Sequence, residues 1–152
     1  MSEMIHGPII FNAYLGGPLE NCSREDAVNW RHVAENQLRE RGQINSLIPG
    51  FDTTLNDSRT ITWMDFRMID MSEACLFNLT YLADDGVGTG TLIEIGYAAK
   101  AGKLIVAYTD KPWSRKHMFL KGCLTPYLFG SAQEAIDYLV GFNHRKELKK
   151  VI

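Results

Sequence analysis

The sequence predicts an α/β domain in which a five-stranded parallel sheet carries helices on both faces. Short apolar runs typical of buried strands alternate about five times with amphipathic helical patterns. Glycine-rich segments follow the first and the third predicted strand, at residues 16–18 and 84–90. Because the carboxyl ends of parallel strands share one edge of a sheet, we expect both segments at the edge where open α/β sheets bind ligands.

Length and composition indicate one globular domain spanning residues 1–152. A chain of 152 residues can bury about 70% of its unfolded surface in a single core. Hydrophobic residues make up 45% of the chain, charged residues 22%, and the formal net charge is -2, so no nucleic-acid partner is expected. No apolar run approaches the roughly 20 residues of a membrane helix, and Met1-Ser2-Glu3 does not resemble a signal peptide. We therefore expect a cytoplasmic protein with no membrane partner.

Cysteine and histidine positions support neither a disulfide framework nor a metal site. The three cysteines are widely spaced without a CxxC pair, and the four histidines show no HxxxH or HxH spacing. We expect no metal and no cofactor, and we expect Cys75 to lie in the core.

Strands and helices follow from the periodicity of the apolar residues. The predicted strands are residues 9–15, 46–49, 74–79, 104–108 and 127–129. The predicted helices are residues 23–42, 60–71, a helix around Glu94 that ends at Gly102, and 131–142, followed by a basic tail at 143–152 that we expect to fray. Ser23 with Asp26, and Ser131 with Glu134, have the spacing of capping boxes at helix starts.

The helix from Thr60 carries an apolar stripe with a carboxylate at its edge. The stripe consists of Ile61, Met64, Met68 and Met71. Core packing is its expected role. Asp65 is expected to be half turned toward the core, and the alternative interpretation is a solvated residue of the helix surface. Trp63 and Trp113 could each stack on a planar ligand or simply pack against the protein.

A glycine-rich turn, a carboxylate and a helix follow one another within residues 84–103. Glycines let backbone N–H groups approach an oxygen-rich ligand, and a helix N-terminus adds partial positive charge. The turn has neither the Gly-Lys-Ser/Thr ending of a Walker loop nor GxGxxG spacing. Glu94 is expected in the first helical turn, held ionised as a nucleophile or an electrostatic stabiliser requires. The alternative is a glutamate that only complements the helix dipole.

Three ordered segments are the most specific feature of the chain. They are AYLGGP at residues 13–18, DFRMIDMSE at 65–73 and GTLIEIGYA at 90–98. They resemble the IYLAGP, DxxxIxxSD and GTxxEIGYA segments of the nucleoside 2-deoxyribosyltransferase family, and the last match is the most specific. The resemblance covers most of the chain and implies a flavodoxin-like, Rossmann-like sheet.

The resemblance also implies cleavage of an N-glycosidic bond with retention, on a (deoxy)ribonucleoside or its 5′-monophosphate. In that family the glutamate at the position of Glu94 attacks C1′ of the sugar, and a second base or water resolves the glycosyl-enzyme. Asp65 matches an aspartate that handles the proton of the departing base. Tyr14 matches a tyrosine that positions the nucleophile and the sugar.

Further residues are implied to bind the substrate. They are Gly16, Gly17, Gly88, Thr89, Gly90, Thr91, Lys116, His117 and Met118. Gly88 departs from the family, because members acting on free nucleosides usually carry Asp there and a monophosphate-hydrolysing branch carries Ser. Backbone N–H groups and the Thr89 hydroxyl could instead hold a 5′-phosphate. Lys116 replaces an asparagine of the nucleoside enzymes and would suit phosphate, with a solvated basic loop as the alternative.

Residues 109–125 fall where the family lends residues to a neighbouring subunit, so the resemblance implies a homo-oligomer, a dimer or larger. The rival hypothesis is a non-catalytic nucleotide-binding or sensing module, because one fold hosts many functions and a glycine loop can bind without reacting. Asp65 and Glu94 distinguish the two hypotheses, since only the enzyme needs both carboxylates in one pocket.

Overall fold

The computed structural model describes residues 11–18, 23–49, 57–80, 88–110, 118–124 and 128–151. The strands in this part of the chain are β1 (Phe11–Gly16), β2 (Ile44–Leu47), β3 (Ala74–Asn78), β4 (Leu104–Tyr108) and β5 (Leu128–Phe129). The helices are α1 (Arg24–Gly42), α2 (Ser58–Asp70), α3 (Thr89–Lys100), α4 (Met118–Leu124) and α5 (Ala132–Val151).

The five strands form one parallel sheet in the order β2-β1-β3-β4-β5. This is the flavodoxin-like order, and the prediction of a five-stranded parallel sheet is confirmed. The chain leaves β1 toward β2 and then returns to β3 on the other side of β1, so the order of the strands reverses beside β1. A crevice opens at the carboxyl ends of the strands at such a reversal, and ligands bind there in open α/β sheets.

Alternate residues of each central strand supply two separate cores. Ala13 and Leu15 of β1 face α1 and α5, whereas Tyr14 between them faces α2, α3 and α4. The same alternation places Leu76 of β3 in the first core and Cys75 in the second, because successive side chains of a strand point to opposite faces. Helices therefore cover both faces of the sheet, and Tyr14 is the side chain of β1 that looks toward α3.

Helix α1 begins and ends with local hydrogen bonds that its sequence specifies. The Ser23 hydroxyl accepts a hydrogen bond from the backbone N–H of Asp26 at 3.0 Å, as the capping-box spacing predicts. At the other end the left-handed residue is Gln43, with φ of 53°. Gly42 is small for a different reason, since a Cβ there would lie 3.1 Å from Ile44 and 3.3 Å from Val140. Gln43 therefore connects the end of α1 directly to the start of β2.

The prediction that the stripe on the second helix packs into the core is wrong for its two ends. Ile61 is 41% exposed and Met71 is 53% exposed, while Met64 and Met68 are half-buried. The buried apolar residue of α2 is Ile69. The helix lies at the edge of the crevice, so the face carrying Ile61 borders a cavity instead of the sheet.

Several element boundaries differ from the sequence prediction. β2 starts two residues earlier than the predicted strand, because Ile44 pairs with Phe11. Helix α5 continues to Val151, past the last residue of its apolar pattern. The predicted strand residues 9, 10 and 127 lie outside the described residues. Within the described part of the chain, no helix is long and apolar enough to cross a bilayer.

Candidate active site

A cavity of about 460 Å³ lies at the carboxyl edge of the sheet, between the turn after β1, helix α2 and the start of α3. The residues that line it are Gly17, Pro18, Ser58, Ile61, Thr62, Asp65, Phe66, Gly88, Thr89, Gly90, Thr91, Ile93 and Glu94. Most small-molecule sites are concave spaces of this size with a few convergent polar groups among apolar walls. The cavity thus brings together residues from all three sequence motifs.

Glu94 is held in this cavity by Tyr14. The Tyr14 hydroxyl, which comes from β1, donates a hydrogen bond to Oε2 of Glu94. Tyr14 is itself fully buried, with its ring edge-on to Phe77 at a centroid distance of 6.2 Å. A rigid strand residue therefore fixes one oxygen of the Glu94 carboxylate and leaves Oε1 available for other partners.

The expected location and ionisation of Glu94 need correction. Helix α3 begins at Thr89, so Glu94 is its sixth residue and lies in the second turn, beyond the terminal N–H groups. Burial raises the pKa of Glu94 to about 7, and the hydrogen bond from Tyr14 acts in the opposite direction. The negative charge of Asp65 raises the pKa further and the positive charge of Arg31 lowers it. The carboxyl is therefore poised to change its charge near neutral pH.

Asp65 is the second carboxylate of the cavity. It lies half-buried on α2, and burial raises its pKa while the positive charge of Arg31 lowers it. Asp65 and Glu94 thus line one cavity, and the charge of Asp65 raises the pKa of Glu94. Two carboxylates with raised pKa values in one crevice are typical of acid–base chemistry.

Tyr14 serves as a hydrogen-bond donor throughout the working pH range. Burial raises its pKa well above the usual value, and the negative charges of Glu94 and Asp65 raise it further. The hydroxyl therefore remains protonated whenever Glu94 is ionised, and it can stabilise that ionised form without ever competing for its proton.

The two glycines after β1 are required by close packing. A Cβ on Gly16 would lie 2.3 Å from Cε1 of Phe77, and a Cβ on Gly17 would lie 3.1 Å from Cζ2 of Trp30. Gly17 lines the cavity, whereas Gly16 is buried against Phe77 and is not among the lining residues described. Substrate contact through Gly17 is compatible with this placement, while the structure gives Gly16 a packing role.

The start of α3 forms the other wall of the cavity. Gly88 caps the helix with φ of 122°, a conformation that side-chain-bearing residues rarely adopt, and no side chain caps this end. Thr89 and Gly90 are exposed and Thr91 is buried, and all three border the cavity. Unsatisfied N–H groups at a helix start can hold an anionic or oxygen-rich group.

Of the predicted substrate-binding residues 116–118, two fall outside the described residues, and the third is not among the lining residues of this cavity. Lys116 and His117 fall outside the described residues, as do Gly86 and Val87 of the glycine turn. Met118 opens α4 and is 83% exposed. Met118 is not among the residues described as lining the cavity of this chain, so its contact with a substrate stays a prediction.

An aromatic contact that the sequence did not predict joins the two helices carrying the carboxylates. Phe66 of α2 stacks on Tyr97 of α3, with centroids 4.1 Å apart and planes 7° from parallel. The Tyr97 hydroxyl donates a hydrogen bond to Oδ1 of Asp70 at 2.8 Å. Phe66 follows Asp65 directly and Tyr97 lies three residues after Glu94, so this contact, which we call the α2–α3 clamp, joins the two helices close to both carboxylates.

Arg31 is a further residue that sequence reasoning missed. It is only 1% exposed, although it belongs to a helix whose other buried residues are small or apolar. The sequence contained a signal for the burial of Arg31, because Ala27, Arg31 and Ala34 share the helical spacing of the core-facing positions. A cation at such a position is seldom fully buried unless its donors are satisfied.

Comparison with known proteins identifies the family. The sequence profile described as nucleoside 2-deoxyribosyltransferase matches residues 13–133. A similar solved structure, a 2-desoxiribosyltransferase from Leishmania mexicana, has a TM-score of 0.70 at 20% identity, covering 86% of this chain and 97% of that one. A 2-deoxyribosyltransferase from Bacillus psychrosaccharolyticus has a TM-score of 0.63 at 18% identity, covering 84% and 91%. No curated protein sequence matches significantly. Because the profile spans most of the chain, the protein belongs to the nucleoside 2-deoxyribosyltransferase family.

Proposed function

We propose that the protein cleaves the N-glycosidic bond of a (deoxy)ribonucleoside or its 5′-monophosphate and passes the sugar to another base or to water. The observation that carries this proposal is the cavity shared by Asp65 and the Glu94 carboxyl that Tyr14 holds. Family membership supports the same chemistry, and the two similar structures are named as 2-deoxyribosyltransferases.

In the first step, Glu94 attacks C1′ of the sugar and the bond from C1′ to the base nitrogen breaks. Because Tyr14 holds Oε2, the attacking atom is Oε1. The bonding electrons leave with the base, and Asp65 gives its proton to the base. The products are a glycosyl ester of Glu94, the free base and an ionised Asp65.

In the second step, a nitrogen of an incoming base or a water oxygen attacks C1′ of the ester. The bond between C1′ and Oε1 breaks, Glu94 leaves as a carboxylate, and Asp65 takes up the proton released by the attacking group. Two displacements at C1′ give net retention of its configuration. The carboxylate pair carries one negative charge before and after each step. The pKa of Glu94, raised to about 7, supports a pair that retains one proton near neutral pH, and that proton lies on Asp65 when Glu94 attacks.

The walls of the cavity divide into an apolar part and a polar part. Ile61 and Phe66 offer a surface against which a flat base can pack. Thr89 and Gly90 offer the N–H groups of a helix start, suited to the 5′-hydroxyl or 5′-phosphate of the sugar. Because Gly88 places no side chain there, we propose that the 5′-monophosphate is the better substrate.

The reaction can be tested by incubating the protein with deoxynucleosides and their 5′-monophosphates, with and without an acceptor base. Base release or exchange is expected, and Glu94→Gln should abolish it because an amide cannot form the ester. The exposed Glu134 supplies a matched control, since Glu134→Gln should react as the wild type does. Turnover that survives Glu94→Gln, or no turnover of any substrate, contradicts the proposal.

The covalent intermediate has a separate test. Intact mass measured after rapid acid quenching, with substrate present and no acceptor base, should show the wild type carrying one added sugar, or one sugar phosphate. Glu94→Gln should carry none. An adduct that maps to a peptide without Glu94 would contradict its role as the nucleophile.

The preference for a 5′-monophosphate over a free nucleoside can be tested by comparing kcat/KM for the two substrates. If the start of α3 holds phosphate, kcat/KM should be higher for a 5′-monophosphate than for its nucleoside, and the difference should shrink as salt concentration rises. Faster reaction of the free nucleoside would overturn this part of the proposal.

A non-catalytic sensing module remains the rival hypothesis, but the shared cavity argues against it because binding alone needs no carboxylate pair.

We also propose a homo-oligomer, supported by the exposed apolar side chains of Trp63 and Met118, which are 64% and 83% exposed. Light scattering that gives the mass of a single chain at micromolar concentration would contradict the oligomer.

A further inference from the structure

Arg31 reaches the edge of the catalytic cavity from the opposite side of the sheet. It belongs to α1, which packs on the face away from Glu94. Its guanidinium extends to the carboxyl end of β1, where the chain turns from Leu15 into Gly17. Gly17 lines the cavity, so Arg31 contacts a residue of the cavity wall from the side away from the cavity.

The guanidinium holds three backbone carbonyls. Nε donates to the carbonyl of Leu15 at 3.1 Å, one terminal nitrogen donates to Gly17 at 3.0 Å, and the other donates to Ala27 at 2.6 Å. The first two acceptors follow Tyr14 in the chain, and the third lies on α1. The planar fork of arginine can hold such divergent acceptors at once, whereas a lysine ammonium, a single nitrogen, cannot span them.

Aromatic packing fixes the same turn from another direction. The Trp30 ring lies 4.8 Å from Cζ of Arg31, and its Cζ2 would be 3.1 Å from a Cβ on Gly17. The turn after β1 is thus held between a cation and an indole, with little room to shift. Since Tyr14 precedes this turn by one residue, its hydroxyl is held where it meets Glu94.

The charge of Arg31 acts on the whole acidic group of the site. It lowers the pKa of Glu94, Asp65 and Tyr14, in each case against burial. The ionisable groups that act on Glu94 are Tyr14 from β1, Asp65 from α2 and Arg31 from α1, and the charge of Glu94 in turn raises the pKa of the Cys75 thiol on β3. Arg31 is the cation among them, and because it is buried its field is little screened by solvent.

We propose that Arg31 is a positioning residue of this reaction, which holds the turn after β1 against the cavity and offsets the single negative charge as it passes from Glu94 to Asp65. This inference rests on the proposed function. When the ester forms, the charge of Glu94 disappears and that of Asp65 appears, so a cation that acts on both sites favours neither end of the step. The hydrogen bonds from Arg31 to the backbone after β1 keep the Tyr14 hydroxyl next to Glu94 during both steps.

The test compares Arg31→Met, Arg31→Lys and the control Arg39→Met, which removes an exposed arginine of the same helix. Arg31→Met should lower kcat by roughly tenfold or more through misplacement of Tyr14 and Glu94. It should also move the acidic limb of kcat/KM to higher pH. Arg31→Lys should restore the acidic limb but recover kcat only in part. Arg39→Met should match the wild type in both measurements.

A second measurement is independent of turnover. In protein labelled with ¹³C at glutamate carboxyls, the Glu94 signal should titrate at higher pH in Arg31→Met than in the wild type. An unchanged Glu94 titration in a folded Arg31→Met overturns the electrostatic part. If Arg31→Met does not fold, Arg31→Lys decides the positioning part, and a kcat equal to the wild type would refute it. Absence of wild-type turnover would defeat the proposed function while leaving the titration valid.

Discussion

Removal of the Tyr14 hydroxyl is the sharpest perturbation of Glu94, the proposed nucleophile. In Tyr14→Phe the ring keeps its edge-on contact with Phe77, while Glu94 loses the donor to its Oε2 atom. A hydrogen bond to an ionised group contributes about 1.5–3 kcal/mol. That donor lowers the pKa of Glu94 from what burial alone would give, so its loss should raise the pKa above the present value of about 7.

The expected effect on the rate follows from this increase in the pKa of Glu94. One pKa unit corresponds to about 1.4 kcal/mol, so the acidic limb of kcat/KM should move up by roughly one to two pH units. Below the limb, kcat/KM should fall roughly 10- to 100-fold, because less Glu94 is ionised. The deficit should narrow at alkaline pH, where Glu94 ionises in both proteins.

Initial rates of base release across the pH range, with thermal melting as a check on folding, measure this effect. Tyr97→Phe is the matched control, since it also removes a hydroxyl that donates to a carboxylate, that of Asp70, but on the protein surface. That variant should keep the acidic limb of the wild type. An acidic limb that stays in place in Tyr14→Phe would refute the reasoning that this hydroxyl sets the charge of Glu94.

Three further predictions concern stability. Because burial raises the pKa of Glu94 to about 7 from 4.5, the folded state loses stability as pH rises through this interval. Glu94→Gln should therefore be more stable than the wild type near pH 8, by up to about 3 kcal/mol, with no gain near pH 4, as urea midpoints can show; a gain that does not vary with pH would contradict this. Gly16→Ala should destabilise by roughly 1–3 kcal/mol because its Cβ would meet Phe77 at 2.3 Å, whereas Gly90→Ala, with no atom within 4 Å, should be neutral or stabilising in the same melts. Gly88→Ala should cost about 1–2 kcal/mol for its φ of 122°, and a melting temperature equal to the wild type would show that the turn relaxes without strain.

The fold and the main site residues could be predicted because they depend on local sequence. Strands and helices alternate with clear periods, and the segments around Tyr14, Asp65 and Glu94 are short motifs in a fixed order. The parallel order of the strands then brings the three residues to one edge of the sheet.

The electrostatic state of the site could not be predicted in this way. The pKa of Glu94 depends on burial by segments distant in sequence, and its position in α3 depends on where Gly88 allows the helix to begin. Arg31 has the spacing of a core residue, but a buried role for a cation requires the carbonyls of Leu15 and Gly17, whose directions only the folded turn defines. These properties belong to tertiary structure.

The α2–α3 clamp, in which Phe66 stacks on Tyr97, has a consequence for how this fold can change during evolution. Asp65 and Glu94 lie on two helices that contact each other through this clamp. Other groups that border the cavity come from the turn after β1, from Gly88 just before α3 and from the first residues of α2 and α3. Substitutions at these positions can reshape the cavity while Asp65 and Glu94 keep their places on the two helices. The shape of the cavity and the placement of the two carboxylates can therefore change independently.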